Sequence, residues 1–294
     1  MNSPLHQAVK PAINCSDQSL AELHHNANRL RELGRYAESE AFFRRALELA
    51  ERLFAENDLR LVPLLNNFAV LGKYSGNFDE AERMYRRALH IAETRFGAEH
   101  PEVATLYHNL GGLEHARGNY AAGEPLARRS VEIRRALLGE DHLDVAADMA
   151  ALAGILDGLG RYDESEPIYH RVIEIFEHEI GPEDYEIAIN LNNLAAVYAA
   201  QGKLEDAEHM YSRALVIKSK VLGVNHPDVA VTLNNLALLA KRRGELTRAA
   251  VMYERALVMF ERALQPTHPR LITCRANYEK LRRALARPAA NEVT

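Results

Sequence analysis

Amide side chains recur along this 294-residue chain at one fixed interval. Asn67, Asn109, Asn193, Asn235 and Asn277 are 42 residues apart or a multiple of it, with Ala151 interrupting the series. One residue earlier a second column reads Asn66, His108, Ala150, Asn192, Asn234 and Ala276. Asparagine is poorer than alanine in a helix interior by several tenths of a kcal/mol, so amides in register ask for a reason. An amide offers both a donor and an acceptor. A row of them can hold the backbone of an extended peptide without reading its side chains. The competing explanations are inheritance from one duplicated ancestor, or hydrogen bonds between neighbouring A helices.

Cations and an aromatic accompany the amides. Lys73, Tyr74, Arg117, Lys241 and Arg242 fall toward the ends of the same helices. With His108 and His115 they favour an acidic ligand by Coulomb attraction in a partly desolvated cleft; as solvated turn charges they would favour none.

Other chemistries find little support. His100, His142, His226 and His268 belong to different repeats, about a helix diameter apart, whereas zinc needs nitrogens at about 2 Å. They read as helix-entrance packing residues. No HExxH, CxxC or phosphate-binding glycine loop occurs. Neither cysteine has a base nearby in sequence, and no serine sits in a nucleophile elbow. The chain is expected to be no enzyme and to carry no metal or cofactor.

The elements that must position these residues follow from the same period. Gly34, Gly76, Gly118, Gly160, Gly202 and Gly244 mark six turns, and a fixed interval of this length signals stacked supersecondary units. Each unit reads as two helices, A before the turn glycine and B after it. His100-Pro101-Glu102 and His226-Pro227-Asp228 open A helices, and Thr267-His268-Pro269 opens the last; proline suits the first helical position, and an acid there meets the positive end of the helix dipole. Pro125 and Pro167 are expected in the first turn of their B helices. Gly97, Gly139, Gly181 and Gly223 end the preceding B helices.

Packing positions repeat too. Ala69, Gly111, Ala153, Ala195 and Ala237 are small in helix A, and Ser39, Ala81, Gly123, Ser165, Ala207 and Ala249 in helix B. Phe43, Tyr85, Tyr169, Tyr211 and Tyr253 follow, then Leu47, Leu89, Val131, Ile173, Leu215 and Leu257. Small residues let helices approach to ~8–10 Å while large ones fill the grooves beside them.

Composition agrees. Tryptophan is absent and the formal charge is -5, so bulk electrostatics point away from nucleic acid. Cys15 and Cys274 lie near opposite ends, which disfavours a disulfide and suits a reducing compartment. The start has no apolar signal core, and the longest apolar run, Met149–Leu156, is too short for a membrane span. A cytoplasmic protein without membrane or nucleic-acid partners is expected.

The small–aromatic–small spacing around each turn glycine resembles the tetratricopeptide repeat, and NNLA in helix A with HPDVA at the entrance is similar to the repeats of kinesin light chains. The ordinary repeat is ~34 residues, so each helix here gains roughly one turn. The resemblance implies an all-α, right-handed solenoid of six helix pairs with a capping helix at 269–287. Repeats are expected at about 16–57, 58–99, 100–141, 142–183, 184–225 and 226–267, between a loose leader (1–15) and a frayed tail (288–294). It places the asparagine columns on a concave groove, and implies a protein or peptide partner held there in extended form. An assembly subunit associating with copies of itself through its terminal repeats, or a sensor of short signalling peptides, are the other roles it allows. The terminal-carboxylate clamp of other tetratricopeptide proteins is not expected: His24, Asn28 and Asn67 occupy three of its places, but Thr105 and Asn109 stand where two cations belong.

Overall fold

A computed structural model of the chain describes residues 15–286. The leader and tail positions lie outside this range, apart from Cys15, which opens the first helix. Thirteen helices and no strands occur among the described residues. They fall into two compact units, one up to Leu137 and one from Leu138. The first unit holds three pairs: α1 (Cys15–Glu32) with α2 (Tyr36–Leu53), α3 (Leu61–Ser75) with α4 (Phe78–Phe96), and α5 (Pro101–Arg117) with α6 (Tyr120–Leu138). The second holds α7 (Leu143–Gly158) with α8 (Tyr162–Ile180), α9 (Tyr185–Ala200) with α10 (Leu204–Leu222), α11 (Pro227–Arg242) with α12 (Leu246–Ala263), and the unpaired α13 (Pro269–Ala286).

Each pair turns on a glycine in the left-handed region, such as Gly76 (φ 81°) and Gly202 (φ 82°), where a Cβ would strain the backbone. The helices then meet through the small columns. In the second repeat Gly72, one turn beyond the A-helix column, adds to this: a Cβ there would lie 2.9 Å from that of Ala81 and 3.0 Å from the Asn77 carbonyl, so α3 and α4 touch almost backbone to backbone. In the third repeat Gly111 lies against Ala127, which replaces the aromatic of its column. Elsewhere that column supplies the largest core side chains: Phe43, Tyr85, Tyr169 and Tyr253 are at most 1% exposed. Burial pushes the Tyr253 hydroxyl up to about 12 and the free Cys274 thiol beside it to about 11.

The A helices start on a capping column. The Nδ1 atoms of His100, His142, His226 and His268 accept from the backbone N–H two residues on, at 3.1–3.2 Å. Asp184 and Asp58 do the same with carboxylates at 2.8 and 2.9 Å. These histidines are therefore N-caps, satisfying donors the helix leaves open. The prolines differ from expectation. α6 and α8 begin at Tyr120 and Tyr162, immediately after the turn, so Pro125 and Pro167 fall in the second turn and each omits one ladder donor.

Substituting His226→Ala is expected to cost about 1 kcal/mol in chemical unfolding, and His226→Asp to cost almost nothing, because only the acceptor matters. Equal losses in the two variants would show that the ring acts by packing.

Candidate functional site

Within each unit successive A helices approach one another, α1 with α3, α3 with α5 and α7 with α9. The amide columns lie on these A helices. All eight asparagines of the two columns are half-buried.

In the first unit they are linked into a chain. Asn67 Nδ2 donates to His24 Nε2 at 2.9 Å, Asn66 Nδ2 to Asn67 Oδ1 at 3.3 Å, and Asn109 Nδ2 to Asn66 Oδ1 at 2.8 Å. The run His24–Asn67–Asn66–Asn109 crosses three consecutive A helices. Burial, and secondly the Arg31 charge, lower the His24 pKa, which keeps its Nε2 available as an acceptor. Beside this chain the Lys73 ammonium reaches into the space left by Gly112, 3.1 Å from where a Cβ would stand. Burial lowers its pKa, since no anion compensates the lost hydration. Tyr74 is 63% exposed and, with Arg31, Glu32, Tyr36 and Val70, lines a cleft of about 330 Å³.

In the second unit more of the amides' capacity is open. Thr232 Oγ1 donates to Asn192 Oδ1 at 3.2 Å, linking α11 to α9, and Asn193 hydrogen-bonds the Tyr169 hydroxyl. Asn234 Nδ2 reaches Asn235 Oδ1 only at 3.5 Å, and Asn234 Oδ1 is buried without a partner. Asn277 is half-buried on α13. Among the described residues Asn277, Lys73 and Lys241 have no hydrogen bond or ion pair.

Some expected cations are committed elsewhere. Arg117 pairs with Glu114, Glu82 and Asp79 at 3.0–3.1 Å, which ties the third repeat to the second. Arg242 donates to the Ala199 carbonyl at 2.6 Å and ties α11 to α9. His115 packs edge-on against Tyr120, and His108 is also engaged. Arginine finds these roles because its fork meets several acceptors at once.

Two features escaped the sequence reading. Lys218 is 5% exposed, donates to Thr232 Oγ1 at 3.2 Å, and has its pKa lowered by burial. Its signal was a lysine where Phe176 and Phe260 stand in neighbouring repeats. The other is an arginine column on the B helices. Arg87 pairs with Glu51, Arg129 with Glu99, Arg171 with Asp141 and Arg213 with Glu177, each reaching back toward the preceding repeat or loop. No group of three or more metal-ligating side chains occurs among the described residues, and none of the described helices is long and apolar enough to cross a membrane.

Stacked helix pairs define a helical-repeat scaffold. A family model, the tetratricopeptide repeat, matches residues 19–94, 71–122, 102–178, 149–220 and 186–262. The chain belongs to the tetratricopeptide repeat family. Among solved structures it is similar to the kinesin light chain TPR-like repeats of Podosopora anserina (19% identity, 71% of this chain and 98% of that one, TM-score 0.61). It is likewise similar to BtubC (BKLC) of P. vanneervenii (20% identity, 96% and 97% covered, TM-score 0.55). A third is the Rap protein complexed with Competence and Sporulation Factor (15% identity, 91% and 76% covered, TM-score 0.57). A search of curated proteins by sequence finds no match.

His24 supplies a pH test. Its folded pKa lies below the ordinary 6.5, so the unfolded chain binds the extra proton first. The stability this contributes is complete above pH ~6.5 and falls as pH drops toward the folded value. Thermal unfolding of His24→Gln, which keeps a partner for Asn67, should therefore lose less stability than wild type between neutral and mildly acidic pH. Parallel curves would contradict the assignment.

Proposed function

We propose that this protein is a non-catalytic scaffold that holds an extended peptide segment of a partner along its A-helix faces. The observation that carries the reading is the unspent hydrogen-bonding capacity of the second unit. Asn277 makes no hydrogen bond among the described residues, Asn234 keeps an acceptor without a partner, and Asn193 and Asn235 of the same column retain what their contacts with Tyr169 and Asn234 leave over. Helices packed ~10 Å apart and a strand rising ~3.4 Å per residue bring one amide to the backbone about every third peptide residue. Such contacts grip a main chain whatever its side chains. Selectivity then comes from beside the row. In the first unit the uncompensated Lys73 ammonium and the exposed Tyr74 suit a segment with acidic and aromatic side chains, and Lys241 does the same in the second. The similarity to a Rap protein complexed with Competence and Sporulation Factor supports a ligand-holding role for this architecture, and with it the alternative of a signal sensor.

The probe is a displayed library of unstructured peptides, with affinity measured by fluorescence polarisation. The double variant Asn193→Ala/Asn235→Ala, at unchanged helical content, should weaken a selected peptide about thirtyfold if each lost amide contributes ~1 kcal/mol. Lys241→Glu, in the same unit as the row, should instead shift the selected sequences away from acidic residues. Failure to enrich any peptide, or unaltered affinity in the double variant, would sink the proposal.

A further inference from the structure

The outer face of α12 differs from that of every other B helix. Val251, Glu254, Arg255 and Val258 follow one another at helical spacing and share one side of the helix. Val251 is 62% and Val258 42% exposed, and both charged residues are exposed. Arg255 belongs to the arginine column, yet Ser219 and Asn225 stand where earlier repeats carry the acids that pair with it. Glu254 stands where Arg44, Arg86 and Arg128 do; each of those is held by a glutamate four residues before it, and here that residue is Ala250. Neither Glu254 nor Arg255 has an ion pair or hydrogen bond among the described residues.

This face is its own complement. Laid antiparallel across a two-fold axis, two copies of α12 bring Val251 of one onto Val258 of the other, and Glu254 of one onto Arg255 of the other, twice over. A two-fold interface requires that reciprocity, residue i meeting j and j meeting i. The other B helices fail it. The corresponding pairs are Arg44–Arg45, Arg86–Arg87, Arg128–Arg129, His170–Arg171 and Ser212–Arg213, of which most would set cation against cation and none would set acid against base. Val216, one repeat before Val258 in the same column and 67% exposed, widens the apolar rim. Arg248 of α12 pairs with Glu208 of α10, which holds the two helices side by side.

We infer that a second copy of this chain docks on this face, forming a reversible two-fold dimer through antiparallel α12 helices. One helix face ~27 Å long buries less than a standard interface, so dimerisation depends on protein concentration. The surface lies on a B helix, away from the amide columns, so the inference stands independently of peptide binding.

Sedimentation velocity of the full chain over a concentration series tests it. Wild type should show a monomer–dimer equilibrium, and Glu254→Arg or Arg255→Glu alone should weaken it about tenfold by setting like charges together. An equimolar mixture of those two variants should form a heterodimer at wild-type strength, because both contacts become opposite-charge pairs. The doubly swapped chain should recover self-association. A wild type that stays monomeric throughout, single variants that dimerise as wild type does, or a mixture that fails to associate would each overturn the inference.

Discussion

The close approach of helices A and B in each repeat governs the rest of the structure. In the third repeat a Cβ on Gly111 would stand only 3.3–3.4 Å from Ala127, and in the second Gly72 leaves no room for one beside Ala81. That contact occupies one stripe of each helix, and the buried aromatic column takes the next. Apolar burial is exhausted between a pair and its neighbours within each unit, so each A helix retains one stripe that packing does not claim. The amides occupy it. Most of their polarity is met by one another or by a neighbouring hydroxyl, Asn234 Oδ1 being an acceptor buried without a partner.

The polar residues divide the labour between repeats. Capping residues act within one helix, arginines on the B helices reach the preceding repeat, and amides span consecutive A helices. Exposed ion pairs of this sort contribute little each, typically under ~1 kcal/mol, so they set register more than stability. The amides face a real competition. In the first unit three of them and His24 are spent on one another. In the second Asn234 and Asn277 have capacity left, which makes that unit the better place for main-chain contacts with a guest.

The architecture was legible because duplication writes each structural requirement several times. Six turn glycines and two small-residue columns give the helix pairs and the contact between them. His100 and its counterparts, expected to pack at the helix entrance, are N-caps, a role to which Asp58 and Asp184 in the same column pointed. Function was harder to read because an amide column looks the same whether it bonds sideways or outward. Arg117 and Arg242 looked like groove cations but reach carboxylates and a carbonyl contributed by other repeats. Such partners depend on side-chain reach between repeats, which a period in the sequence does not specify. Pro125 and Pro167 moved by a turn because the B helices begin directly after the glycine turn, leaving no loop for them to close.

The central claim is that the amide row on the A helices is the contact surface for a guest main chain. Side-chain amide resonances of asparagine report this directly when a selected peptide is titrated into labelled protein. The resonances of Asn193, Asn235 and Asn277 should shift and saturate together, while the methyls of Val216 and Val258 on the B helices stay in place. Shifts confined to the B helices, with the asparagine amides unmoved at saturation, would contradict it.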